Sequence, residues 1–146
     1  MTKPSVFITR RWPAASEAAM HEAFDVTMND ADEQLSAEAI AEAMQSHDAI
    51  APTVTDPVGE ATIESGAGGK CRIIANFGVG VNHIDSKAAS RHGMIITNTP
   101  GVLTDATADI VLTLMLMTMR RAGEGERELR AGEWSGWRPT HLPVSY

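Results

Sequence analysis

Two glycine-rich stretches could bring a ligand against bare backbone. Gly78-Val79-Gly80 follows the apolar run Ile73-Ile74-Ala75, and Gly66-Ala67-Gly68-Gly69-Lys70 precedes it. A dinucleotide fingerprint in the first would need a third glycine at position 83, where His83 stands. A P-loop in the second would need glycine at 64 and a hydroxyl after the lysine, where Glu64 and Cys71 stand. Neither stretch is a nucleotide motif. The first nevertheless lies at the carboxyl end of a strand, where open α/β sheets place ligands. The N–H groups of Val79 and Gly80 could hold a small anion there, as backbone nests do. The same glycines also make a tight strand-to-helix turn, and the residues alone leave both readings open.

Other chemistry is sparse. The histidines His21, His47, His83, His92 and His141 have no metal-ligand spacing. No Ser stands in a Gly-x-Ser-x-Gly context. Cys71 is the single cysteine, which excludes a disulfide within the chain and a thiolate zinc site. At the start of an apolar strand it reads as an inert buried thiol. Trp134 and Trp137 lie outside any periodic element and read as an anchoring arm or as packing on their own domain.

The elements that must position these residues alternate between short β-rich runs and helical patterns. Ser5–Thr9, Val26–Met28, Asp48–Ala51, Arg72–Asn76 and Met94–Thr97 read as strands. Pro13 suits the first turn of a helix whose stripe is Ala19, Met20, Ala23 and Phe24. Ser36 is placed to cap a helix with Ala37, Ile40, Ala41 and Met44 on one face. Asp85–His92 reads as a further helix, stopped by Gly93. Between Pro57 and Lys70, Gly66, Gly68 and Gly69 are expected to break any helix. Alternation of this kind implies βαβ units and a mostly parallel sheet.

The segment from Ala106 onward differs. Ala108 to Met119 is apolar nearly all round, so the helix expects cover from its own sheet and from another domain or subunit. It is too short for a bilayer, which takes about 20 apolar residues. The charged stretch Glu124–Glu133 then reads as a solvated helix face with Glu126 and Arg130 paired.

At 146 residues the chain has room for one domain with an appendage. With 43% apolar and 21% charged residues it is neither disordered nor a coiled coil. A net charge of −7 without a basic cluster excludes a nucleic-acid footprint. No signal-peptide core or membrane span is expected, and a reduced, cytoplasmic setting is the default.

Three motifs in order carry a resemblance. They are Ala75-Asn76-Phe77-Gly78-Val79-Gly80-Val81-Asn82-His83-Ile84-Asp85, then Asn98-Thr99-Pro100-Gly101-Val102-Leu103-Thr104-Asp105-Ala106-Thr107-Ala108-Asp109, then Arg130-Ala131-Gly132-Glu133-Trp134-Ser135-Gly136-Trp137. Together they resemble the D-isomer-specific 2-hydroxyacid dehydrogenases, most of all the glyoxylate/hydroxypyruvate reductase branch. The resemblance reaches to about Leu142. Asn82 stands where many members have Asp.

The resemblance implies a flavodoxin-like substrate domain, a parallel sheet flanked by helices, over residues 1–100. It implies a hinge, a long apolar inter-domain helix and a dimerisation arm over 101–146, the start of an otherwise missing Rossmann domain. It places the carboxylate and oxo group of a small 2-oxo acid at Val79 and Gly80, the nicotinamide side of NAD or NADP at Thr104, and Trp137 at a neighbouring subunit's active site. The Gly-x-Gly-x-x-Gly loop and the catalytic Arg, Glu and His of the family would fall beyond Tyr146, so no catalytic residue is expected in this chain. The expected whole is an NAD(P)-dependent homodimer, of which these residues alone are inactive. A rival reading is a non-enzymatic module that only pairs with itself or with a full-length homologue. A receiver-type signalling domain would need acidic residues where Thr9-Arg10 and Ala51-Pro52 stand.

Overall fold

The computed structural model describes residues 2–137. It divides into two compact units, Met1–Gly101 and Val102–Tyr146. The first unit alternates strictly: β1 (Ser5–Ile8), α1 (Ala14–Ala23), β2 (Asp25–Met28), α2 (Ala37–Ser46), β3 (Ala49–Ala51), α3 (Glu60–Gly66), β4 (Ile73–Ala75), α4 (Ser86–Arg91) and β5 (Ile95–Thr97). All strand pairings are parallel, in the order β2-β1-β3-β4-β5. This is the flavodoxin-like order, whose direction of winding switches between β1 and β3.

Alternate strand residues serve two cores, as a pleated sheet requires. Ile50 and Ile74 pack with Ile40 and Met44 of α2, Ile63 of α3, and Ala88 and Ala89 of α4. Val6, Ile8 and Ala51 point the other way, toward Met20 of α1 and Phe24. Ile73 and Ile95 are left exposed. The caps act as their residue types suggest. Ser36 accepts the Ala39 N–H at 3.2 Å, and Asp85 accepts the Ala88 N–H at 2.8 Å.

The structure corrects two sequence expectations here. Pro13 sits at the N-cap of α1 with ψ 134°, one residue before the first turn. The stretch Pro57–Lys70 does contain a helix, α3, which ends at Gly66. Its glycines are there for close approach. A Cβ on Gly66 would lie 2.8 Å from Met44 Cβ, and one on Gly69 would lie 2.3 Å from Gln45 Cα. The glycines let α3 and its exit loop press against α2.

The second unit holds α5 (Thr104–Met119) and α6 (Ala122–Arg130). Arg121, in the left-handed region at φ 52°, turns the chain between them. Glu126 and Arg130 form the expected ion pair. The apolar character of α5 is as read from sequence, but none of its residues is buried.

Candidate anion site at the carboxyl edge of the sheet

The carboxyl ends of β1, β3 and β4 converge on one edge. Thr9 follows β1, Pro52–Asp56 follow β3, and the glycine loop follows β4. A bridge between Thr53 and Phe77 extends the β3–β4 pairing, and the Phe77 N–H donates to the Pro52 carbonyl at 2.8 Å. Trp12, from the β1–α1 connection, stacks on Phe77 with centroids 4.8 Å apart. These contacts fix the residue from which the loop departs.

Within the loop the carbonyls of three successive residues are tied down. Asn76 Nδ2 donates to the Gly78 carbonyl at 3.1 Å and to the Gly80 carbonyl at 2.9 Å. Asn98 Nδ2 donates to the Val79 carbonyl at 2.8 Å, and the Thr99 N–H adds a second bond to Gly78 at 3.1 Å. The Val79 and Gly80 N–H groups, in contrast, donate to none of the described residues. Both residues are exposed. Two adjacent N–H donors, without a partner among the described residues, stand on a backbone whose carbonyls are occupied and are the kind of group that can receive a small anion.

The two glycines serve this loop differently. A Cβ on Gly78 would come within 2.4 Å of Val54 Cγ1, so only glycine fits. Gly80 has open space where its Cβ would be, so its bareness leaves room on the ligand side.

Behind the loop lies a buried polar layer. Asn76 is only 2% exposed, and its Oδ1 lies 3.1 Å from His83 Nε2. Because Asn76 spends Nδ2 on carbonyls, Oδ1 must accept, which assigns the hydrogen to His83 Nε2. Burial lowers the His83 pKa, against the opposing charge of Asp56. Asp56 is itself fully buried; its Oδ2 accepts Thr9 Oγ1 at 2.6 Å and the Thr53 N–H at 2.7 Å. This layer holds the strand ends together where the winding switches.

Of the residues expected to touch substrate or cofactor, Val79 and Gly80 share this loop. Thr104 and Trp137 stand in the second unit. Thr104 is the first residue of α5 and is exposed. Trp137 is 92% exposed, with its ring edge-on to Trp134 at 6.2 Å. Cys71 is buried with its thiol pKa raised by desolvation, as an inert thiol should be. Among the described residues no cluster of His, Cys, Asp or Glu could hold a metal. Asn76, Asn98 and Asp56 were not singled out from sequence. Asn76 carried a usable signal: a polar residue ending an apolar strand is buried and must be hydrogen-bonded.

Comparisons with known proteins identify the family. The family model of the D-isomer specific 2-hydroxyacid dehydrogenase catalytic domain matches residues 6–135. A glyoxylate reductase of Korarchaeum cryptofilum is 37% identical over 138 residues, which are 94% of this chain and 41% of that protein. Among solved structures, one from Polaromonas sp. JS6 66, assigned as a D-isomer specific 2-hydroxyacid dehydrogenase, superposes with a TM-score of 0.85 at 35% identity. It covers 96% of this chain and 44% of that one. The NADPH-dependent glyoxylate/hydroxypyruvate reductase of Sinorhizobium meliloti, solved with NADP and malonate, gives 0.77 at 28% identity, over 97% of this chain and 42% of that one. The chain thus spans less than half the length of the relatives it matches. With the match running from β1 through the glycine loop to the Trp-bearing segment, the chain belongs to the D-isomer-specific 2-hydroxyacid dehydrogenases.

Proposed function

We propose that residues 1–100 are the substrate-binding domain of an NAD(P)-dependent 2-hydroxyacid dehydrogenase of the glyoxylate/hydroxypyruvate reductase type. Residues 101–146 are then its hinge, inter-domain helix and dimerisation arm. In the whole enzyme, hydride passes between a nicotinamide and C2 of a small 2-oxo or 2-hydroxy acid. The setting is cytoplasmic and reducing, in keeping with the single buried thiol of Cys71.

The observation that carries this reading is the pair of unpartnered N–H groups at Val79 and Gly80. They are placed to receive the carboxylate and oxo oxygens of a 2-oxo acid through charge-assisted bonds. Holding those oxygens fixes the orientation of C2, which is the positioning part of the reaction. The Thr104 hydroxyl would meet the nicotinamide side of the cofactor, and Trp137 would wall the substrate of a neighbouring subunit.

The described residues do not fit a dinucleotide by themselves. Position 83, where a third fingerprint glycine would stand, is His83, bonded to Asn76. The helix that follows, Ser86–Arg91, has only six residues. On this reading the pyrophosphate is held by residues of the whole enzyme other than this loop.

Glyoxylate titrated into the 15N-labelled chain tests the reading. The Val79 and Gly80 amide signals should move saturably in the millimolar range, the affinity expected of two exposed hydrogen bonds. Signals that stay in place while the fold is intact would defeat it.

The exposed apolar surface of α5 favours a second reading, in which this chain acts by association with another copy or with a full-length homologue. Mixing it with a full-length relative and looking for heterodimers separates the two.

A further inference from the structure

We infer that Asn76 and Asn98 are positioning residues that set the anion-binding conformation of the Gly78–Gly80 loop. This rests on the reading of Val79 and Gly80 as the carboxylate site. A three-residue loop in water has no reason to turn all its carbonyls one way. Here two side-chain amides claim all three carbonyls, with the Thr99 N–H a second donor to that of Gly78. Asn76 reaches from the end of β4 and bonds the first and third carbonyls, at 3.1 and 2.9 Å. Asn98 reaches from the end of β5 and bonds the middle one, at 2.8 Å. When the carbonyls are drawn in, the intervening N–H groups of Val79 and Gly80 are left facing out.

The two residues differ in their own support. Asn76 is buried, and His83 Nε2 at 3.1 Å from its Oδ1 keeps its amide from flipping. A flipped amide would set its oxygen against two carbonyl oxygens. His83 is therefore the lock on the lock, and acts on the anion only through Asn76. Asn98 is exposed and has no comparable support, so it can be changed without opening the core.

Both residues lie at the carboxyl ends of neighbouring strands, joined by the β4–β5 register Ala75 to Thr97. That register fixes how far apart the two amides stand. The rigid sheet thereby dictates the loop, which is how a mobile element becomes a preorganised site.

The test is glyoxylate titration with amide signals read residue by residue, alongside hydrogen exchange of the loop without ligand. Asn98→Leu keeps the side chain's bulk and removes its donor; Asn98→Gln keeps the donor. Losing one such bond corresponds to about a two- to tenfold change in affinity. Asn98→Leu should weaken glyoxylate by that factor and speed loop exchange, while Asn98→Gln stays within about twofold of wild type. Asn76→Ala should weaken binding at least about tenfold, since two tethers go. If Asn76→Ala does not fold, the Asn98 pair decides alone. Equal affinities and equal loop exchange for Asn98→Leu and wild type would overturn the positioning role and leave the anion site standing. A wild-type chain whose Val79 and Gly80 signals ignore glyoxylate would overturn both.

Discussion

Gly78 and Gly80 are separated by a single residue and are glycine for different reasons. At Gly78 the obstacle is internal: a Cβ would meet Val54 Cγ1 at 2.4 Å. Val54 is β-branched and stiff at χ1, so the loop rather than the valine must give way. We expect Gly78→Ala to lower stability by about 1–3 kcal/mol, the usual range for overpacking, and to abolish the glyoxylate response. With Val54→Ala added, the nearest remaining atom is Asn76 Nδ2 at 3.3 Å, so the double variant should recover most of the lost stability. Additive losses in chemical denaturation would show that the clash is not the cause. At Gly80 nothing lies within 4 Å, so Gly80→Ala should unfold at the wild-type midpoint yet bind glyoxylate less well. A Gly80→Ala that binds as wild type would mean that the ligand does not approach there. Sequence alone could mark both glycines but not divide them, because the deciding atom belongs to a residue 24 positions away in the chain.

At the scale of elements, the carboxylate of Glu17 organises the connection from β1 to α1. It accepts Arg11 Nε and Nη2, each at 2.8 Å, and the Trp12 N–H at 2.8 Å. Trp12 stacks on Phe77, so this connection braces the residue next to the glycine loop. The hydrogen bond from Arg11 is the main cause that holds the Glu17 pKa below its ordinary value. With a depressed folded pKa, the unfolded chain binds more protons across the window between the two values. The stabilisation is therefore present above the unfolded carboxylate pKa of about 4.3 and is lost as pH falls through the folded value. Glu17→Gln should lower Tm near neutral pH, and its gap from wild type should close on acidification below the carboxylate range. A gap of constant size would sink this account. The alternation of elements was legible because strands and capped helices carry their own patterns: β1, the Ser36 cap and the apolar run of α5 need no distant partner to be recognised. Helix α3 was not, because Gly66 and Gly69 read locally as breakers. Their reason is the approach to Met44 and Gln45, which appears only once α2 and α3 pack. The proposed anion loop was half legible for the same reason. The bare backbone is written in Gly78 and Gly80, whereas the tether from Asn98 depends on β5 lying beside β4.

At the scale of the whole molecule, the apolar surface has to be reconciled with water. In α5, Ile110, Val111, Leu112, Leu114, Met115 and Leu116 are each more than half exposed. Burying one such side chain fully is worth about 1.5–3 kcal/mol, so covering the helix would yield several times the loss from any single hydrogen bond. A 16-residue helix with so much exposed apolar surface has little reason to leave it in water. Among the described residues no helix is long and apolar enough to cross a membrane. We expect these 146 residues, made alone, to sediment as concentration-dependent oligomers, and Leu112→Glu with Leu116→Glu to shift them toward monomer. A wild-type chain that stays monomeric at all concentrations would contradict that. On the proposed reading, association by itself is not expected to confer turnover. Even with a carboxylate held at Val79 and Gly80, as proposed, neither N–H group can give or take a proton during turnover. Absence of a general acid/base, expected from the proposed reading, would by itself cost about 10²–10⁴-fold. Oxidation of NADH or NADPH in the presence of glyoxylate should therefore stay at the background rate for monomer and oligomer alike. Turnover in the ordinary enzyme range of about 1–10³ per second would mean that residues 1–146 contain an acid/base group that the fold has not disclosed.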